Sequence, residues 1–96
     1  MLVLVSYDVS TVEPEGRKRL RKVAKICKDF GIRVQNSVFE CNIDPAQWVT
    51  LKTLLLSVYS PGQDSLRFYY LGSNYKHKVE HCGAKAAIDV EDPLIL

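Results

Sequence analysis

Asp8 is the residue with the sharpest claim to chemistry. It closes the apolar run Leu2-Val3-Leu4-Val5-Ser6-Tyr7 and stands shortly before a segment with helical spacing. A carboxylate at such a junction often faces a cleft. Magnesium prefers carboxylate oxygen and needs only one or two carboxylates, with water and phosphate completing its shell. One aspartate is too few for a strong site. Two copies of Asp8 brought together by a dimer axis would hold Mg2+ (or Mn2+) against a scissile phosphate. The competing reading is local, because aspartate is favoured at turns, where its side chain caps backbone amides.

A second feature is a band of positive charge. Of the thirteen Lys and Arg residues, seven lie between Arg17 and Lys28. On a helical wheel Arg17, Arg21, Lys25 and Lys28 share the side opposite Leu20, with Lys18 and Lys22 next to them. Glu13 to Arg33 carries eight basic and three acidic residues, while the rest of the chain carries five and eight, so a net charge of +2 conceals strong asymmetry. Such a stripe can track phosphates with little sequence preference. It can equally be a solvated helix face, since Lys and Arg are good helix formers.

His77, His81 and Cys82 suggest a metal reading that the surroundings do not support. The i,i+4 histidines would suit zinc on a helix, but Gly72 and Gly83 oppose a helix there, and a structural zinc site wants four ligands. No phosphate-loop glycine signature, nucleophile elbow or aromatic-basic run of the RNA-recognition type is present.

The elements that must position these residues can be read from periodicity. Residues 2–8 form a central strand covered on both faces. Ser10 and Thr11, followed by Glu13-Pro14-Glu15, supply cap and first-turn chemistry for a helix, whose Leu20, Val23, Ala24, Cys27 and Phe30 turn inward and which stops at Gly31. Ile32 to Ile43 is strand material broken near Gln35-Asn36-Ser37. Asp44-Pro45 opens a second helix that turns Trp48, Leu51, Leu54, Leu55 and Val58 inward. Ser65 to Leu71 is a strand with Leu66, Phe68 and Tyr70 on one face, and a short strand is expected near Val79. The order is β-α-β-β-α-β with a tail, an α+β, ferredoxin-like arrangement with an antiparallel sheet and both helices on one face. Ninety-six residues, 47% apolar and 25% charged, suffice for one such domain: about 1–72 as its core and 73–96 as a C-terminal strand and tail. The sheet face without helices would need its own cover, and a two-fold homodimer is the commonest answer. The three cysteines, odd in number and without a basic leader, predict reduced thiols in a cytoplasmic protein with no membrane span.

Several motifs agree in order and spacing with one family. Tyr7-Asp8-Val9, Arg19-Leu20-Arg21-Lys22-Val23-Ala24-Lys25, Arg33-Val34-Gln35-Asn36-Ser37-Val38-Phe39-Glu40-Cys41, Asp64-Ser65-Leu66-Arg67-Phe68-Tyr69-Tyr70-Leu71-Gly72 and Val79-Glu80-His81-Cys82-Gly83-Ala84-Lys85 are its marks. Over essentially its whole length the chain resembles the small CRISPR-associated endoribonucleases of the spacer-acquisition module, most closely the subtype C branch of type I systems. The resemblance implies a homodimer joined through the sheet faces, with the C-terminal strand adding to the partner's sheet and Asp8 from both subunits facing a shared magnesium site. It implies metal-dependent cleavage of single-stranded RNA or double-stranded DNA, with Tyr7, Arg19, Arg33 and Phe39 contacting the backbone or positioning other groups. It also implies a DNA-bridging role beside the CRISPR integrase subunit. A vestigial site on a non-catalytic scaffold, and an unrelated ferredoxin-like regulatory dimer, remain as other readings.

Overall fold

A computed structural model describes residues 1–71 and 78–84. The order is β1 (Leu2–Asp8), α1 (Pro14–Phe30), β2 (Ile32–Gln35), β3 (Val38–Asn42), α2 (Pro45–Val58), β4 (Ser65–Leu71) and β5 (Lys78–Gly83). The five strands form one antiparallel sheet in the order β2-β3-β1-β4-β5. This is the expected ferredoxin-like α+β arrangement. β1, the most apolar strand, takes the centre, paired to β3 on one side and to β4 on the other.

Alternation along the strands decides what faces the helices. Val3, Val5 and Tyr7 of β1, Phe39 and Cys41 of β3, and Leu66 and Phe68 of β4 join Val23 and Cys27 of α1 and Trp48, Leu51 and Leu55 of α2 in one core. Trp48 meets Phe68 and Tyr70 edge-on, with ring centroids 4.9 and 5.6 Å away. The intervening residues Leu4, Ser6 and Asp8, with Arg67 and Tyr69, belong to the opposite, helix-free face of the sheet.

The helix boundaries follow local chemistry. At α2, Asp44 accepts a hydrogen bond from the Gln47 amide at 2.7 Å, and the Gln47 side chain accepts one from the Asp44 amide at 3.0 Å; Pro45 follows at the first helical position. This reciprocal box satisfies two otherwise orphaned donors. Leu54 departs from expectation: it is 40% exposed, because the buried arc centres between Leu51 and Leu55 and leaves it on the rim. At α1, Glu13 is the N-cap residue and makes no side-chain cap. Ser10 and Thr11 therefore do not cap this helix. The Ser10 carbonyl instead lies beneath Gly16, where an added Cβ would come within 1.8 Å of it. Gly31 ends α1 as expected, its amide donating to the Cys27 carbonyl at 2.9 Å.

β5 pairs with β4 of its own chain. Among the described residues this last strand lies at the sheet edge beside β4. The tail around Pro93 to Leu96 and His77 lie outside the described residues. Among the described residues no helix is long and apolar enough to cross a membrane.

Candidate functional site

Asp8 is the exposed last residue of β1 and stands opposite Ser65, the first residue of β4. It lines a shallow depression of about 280 Å³ with Ser6, Tyr7, Ser65, Arg67 and Tyr69. The hollow is polar and open, below the usual size of a small-molecule pocket. It has room for an ion and its water, or for one phosphate group. Arg67 introduces positive charge beside the carboxylate. His81 stands opposite Arg67 in the β4–β5 register. Its Nε2 is buried without a hydrogen-bond partner among the described residues. Burial, followed by the positive charge of Arg67, pushes the His81 pKa down, which favours the neutral ring at pH 7.

Tyr7 and Phe39 point the other way. Tyr7 is 4% exposed and Phe39 1%. Their rings stack with centroids 6.2 Å apart, and the exposed Arg33 places its guanidinium 5.2 Å from the Phe39 ring centroid. The Tyr7 hydroxyl donates to the Asn36 carbonyl at 3.4 Å, and the Tyr7 amide donates to Ser37 at 3.0 Å. Direct contact with a nucleic acid is therefore excluded for Phe39 and nearly so for Tyr7. The positioning half of their expected role is compatible with this stack, which holds the β2–β3 turn against the end of β1.

Arg19 is committed elsewhere as well. Its Nε and Nη2 donate to the two Asp64 carboxylate oxygens at 2.7 and 3.2 Å, and Nη2 also donates to Gln63 Oε1 at 2.9 Å. The Asp64 side chain is completely buried. An Arg19 fork spent on an internal carboxylate is a poor phosphate contact, which opposes the contacting half of its expected role and is compatible with the positioning half. The stripe itself is exposed: Arg17, Arg21, Lys25 and Lys28 all face outward on α1. Lys18, Arg21, Lys22 and Lys25 line a second depression. Arg17 also donates to the Thr11 carbonyl at 3.3 Å. Because α1 packs on the core face, the stripe and Asp8 lie on opposite sides of the sheet.

The model of the family described as CRISPR associated protein Cas2 matches residues 1–79. The chain belongs to the Cas2 family. It is 62% identical, over its whole length and 94% of the relative's, to the CRISPR-associated endoribonuclease Cas2 of Nitratidesulfovibrio vulgaris. It is 61% identical to the CRISPR-associated endonuclease Cas2 of Halalkalibacterium halodurans, covering 99% of both chains. A crystal structure of Streptococcus pyogenes Cas2 at pH 6.5 superposes with a TM-score of 0.71 and 57% identity, covering 78% of this chain and 90% of that one.

Within this Cas2 fold, reading the sequence alone missed Ser65, Arg67 and Tyr69 as neighbours of Asp8. The signal was present in β4, where Ser65, Arg67 and Tyr69 alternate with the inward Leu66, Phe68 and Tyr70. Their nearness to Asp8 follows only from the β1–β4 register. Asp64 was missed as well, because an aspartate after Pro61-Gly62-Gln63 looks like turn chemistry.

Proposed function

We propose that this chain is a metal-dependent phosphodiesterase of CRISPR adaptation (spacer acquisition), acting on single-stranded RNA or double-stranded DNA as a two-fold dimer. The observation that carries the reading is the placement of Asp8: an exposed carboxylate on the helix-free sheet face, in a polar hollow with Arg67. Among the described residues no group of three or more His, Cys, Asp or Glu side chains could hold a metal ion. Among the described residues that line the hollow, Asp8 is the one carboxylate. That donor set fits magnesium or manganese, which accept few protein ligands, when a second Asp8 and a substrate phosphate complete the shell. When bound, the metal supplies Lewis acidity at the phosphoryl oxygen and a more acidic water. Asp8 would hold it, and Arg67, which lines the same hollow, would add positive charge toward a phosphate bound there. Leu2, Leu4, Val38, Tyr69, Leu71 and Val79 alternate onto the same face, which supports pairing of two copies through it.

A second reading has its own observation. The basic depression on α1 faces away from the Asp8 side of the sheet, which favours backbone binding that does not depend on cleavage. This suits a DNA-bridging scaffold beside a CRISPR integrase subunit. Matched RNA and DNA substrates, incubated with wild type and Asp8→Asn with and without magnesium, separate the two. The nuclease reading requires magnesium-dependent products from wild type and none from Asp8→Asn, with duplex binding kept in both. Cutting by Asp8→Asn at the wild-type rate refutes it. Binding without any cutting by wild type favours the scaffold.

A further inference from the structure

Asp64 is the only acidic residue in the buried core among the described residues. Its carboxylate accepts four hydrogen bonds: from Arg19 Nε at 2.7 Å, Arg19 Nη2 at 3.2 Å, the Ser60 amide at 2.9 Å and the Ser10 amide at 3.1 Å. Its backbone is equally engaged, the amide donating to the Ser60 carbonyl at 2.8 Å and the carbonyl accepting from the Ala84 amide at 2.9 Å. Five segments thus converge on one residue: the loop leaving β1, helix α1, the turn after α2, the start of β4 and the end of β5.

Two glycines show how tightly the segments close on it. A Cβ on Gly16 would meet the Ser10 carbonyl oxygen, and a Cβ on Gly83 would lie 2.0 Å from the Asp64 carbonyl oxygen. Gly83 also has φ of +123°, a conformation that side chains rarely adopt. Ser10 is two residues beyond Asp8, and Ser65, next to Asp64, is the cross-strand partner of Asp8. The backbone around Asp8 is therefore fixed from both sides through Asp64.

A buried ion pair is poor evidence for stability, since an apolar replacement of similar shape is often neutral or better. Its value lies in setting one geometry. We propose that the Arg19–Asp64 pair is a positioning device for Asp8, presetting the chain on either side of the carboxylate so that it meets its ligand without rearrangement. The inference rests on Asp8 as a metal ligand. The arginine fork spans both carboxylate oxygens, which a lysine cannot do. The molecule contains its own control, the Lys52–Glu80 pair at 2.7 Å, which joins α2 to β5 on the core face away from Asp8.

Manganese alone, titrated by electron paramagnetic resonance well below every melting point, is the probe. The proteins are wild type, Asp8→Asn, Asp64→Asn, Arg19→Lys and Glu80→Gln, with amide exchange at Ser10 followed in parallel. Arg19→Lys and Asp64→Asn should bind manganese about 10- to 100-fold more weakly, the range for losing a group that orients a ligand, and the Ser10 amide should exchange faster. Glu80→Gln should match wild type, and metal-free duplex binding should be unchanged in Arg19→Lys, Asp64→Asn and Glu80→Gln. If Asp64→Asn does not fold, Arg19→Lys decides. Wild-type manganese affinity in Arg19→Lys overturns the proposal, as does an equal loss in Glu80→Gln. Weaker duplex binding with a flatter salt slope in Arg19→Lys would instead make Arg19 a phosphate contact. If Asp8→Asn binds manganese like wild type, the metal-ligand reading itself fails. If Asp8→Asn loses manganese while the pair variants keep it, only the positioning inference fails.

Discussion

Consider truncation of Phe39, a residue the family resemblance puts beside the functional site and the structure puts inside. Its ring is 1% exposed, stacked on Tyr7 and capped by the Arg33 guanidinium. Removing a buried phenyl group costs its transfer energy plus the cavity left behind, about 3–5 kcal/mol for Phe→Ala. The larger half of that range applies here, because the ring is closed in by β1, the β2–β3 turn and α1 and little can collapse inward. For a domain of this size each kcal/mol lowers the melting temperature by about 4–8 °C. Phe39→Ala should therefore melt at least ~15 °C below wild type. Phe39→Leu keeps most of the volume and should cost under about 1.5 kcal/mol. Circular-dichroism melts measure both, and duplex binding at graded salt is measured at a temperature where each remains folded. The expected pattern is a large stability loss in Phe39→Ala, near-complete recovery in Phe39→Leu, and an unchanged salt slope in both. A Phe39→Leu protein that melts like wild type yet has lost duplex binding would refute the reasoning, since only direct contact could explain it.

Three other outcomes follow from the same geometry. Arg21→Ala with Lys25→Ala should weaken binding to all duplex sequences alike and flatten the log-affinity against log-salt slope by about 0.9 per lost phosphate contact; an unchanged slope would leave the α1 stripe a solvated face. Burial pushes the Asp64 pKa up, but the bonds from Arg19 and from the Ser60 and Ser10 amides outweigh it and hold the folded-state value below the ordinary one. The ionised form is therefore favoured by folding, so this stability is present above about pH 3.9, the usual aspartate value, and is lost as pH falls below it. Asp64→Asn should lack that portion of the acid sensitivity, seen as a shallower fall of melting temperature than wild type in melts taken from about pH 5 downward. Burial pushes the Cys27 thiol to about 12 and the Cys41 thiol to about 11, so both should resist a disulfide reagent near neutral pH until the protein is unfolded.

Much of the architecture was legible because it is locally determined. The Asp44-Pro45 start of α2, the Asn36-Ser37 turn and the outward stripe of α1 each depend on residues within a turn or two of one another. The alternation of β1 also contained the division that matters most: Val3, Val5 and Tyr7 on one side, Leu4, Ser6 and Asp8 on the other. Tyr7 and Asp8 are neighbours in sequence and face opposite ways, and Phe39 shares a face with Tyr7. Arg19 and Asp64 illustrate what could not be read. Each looks ordinary in its own segment, a basic residue on a basic helix and an acid at a turn. Only the tertiary structure makes them partners. Leu54 was misjudged for a related reason: α2 is apolar nearly all round, so periodicity alone does not locate its buried arc.

The strand order has a consequence for biosynthesis. β1 leaves the ribosome before the strands that pair with it, β3 and, much later, β4. At roughly 5–20 residues per second, an apolar ribbon with both edges unsatisfied waits several seconds for its second neighbour. The centre of the sheet closes only when β4 inserts beside β1, so native structure should arrive late and in a single cooperative step. Conditions that slow elongation between α2 and β4 would prolong the exposure of the Leu2–Asp8 segment and favour aggregation of the nascent chain over its folding.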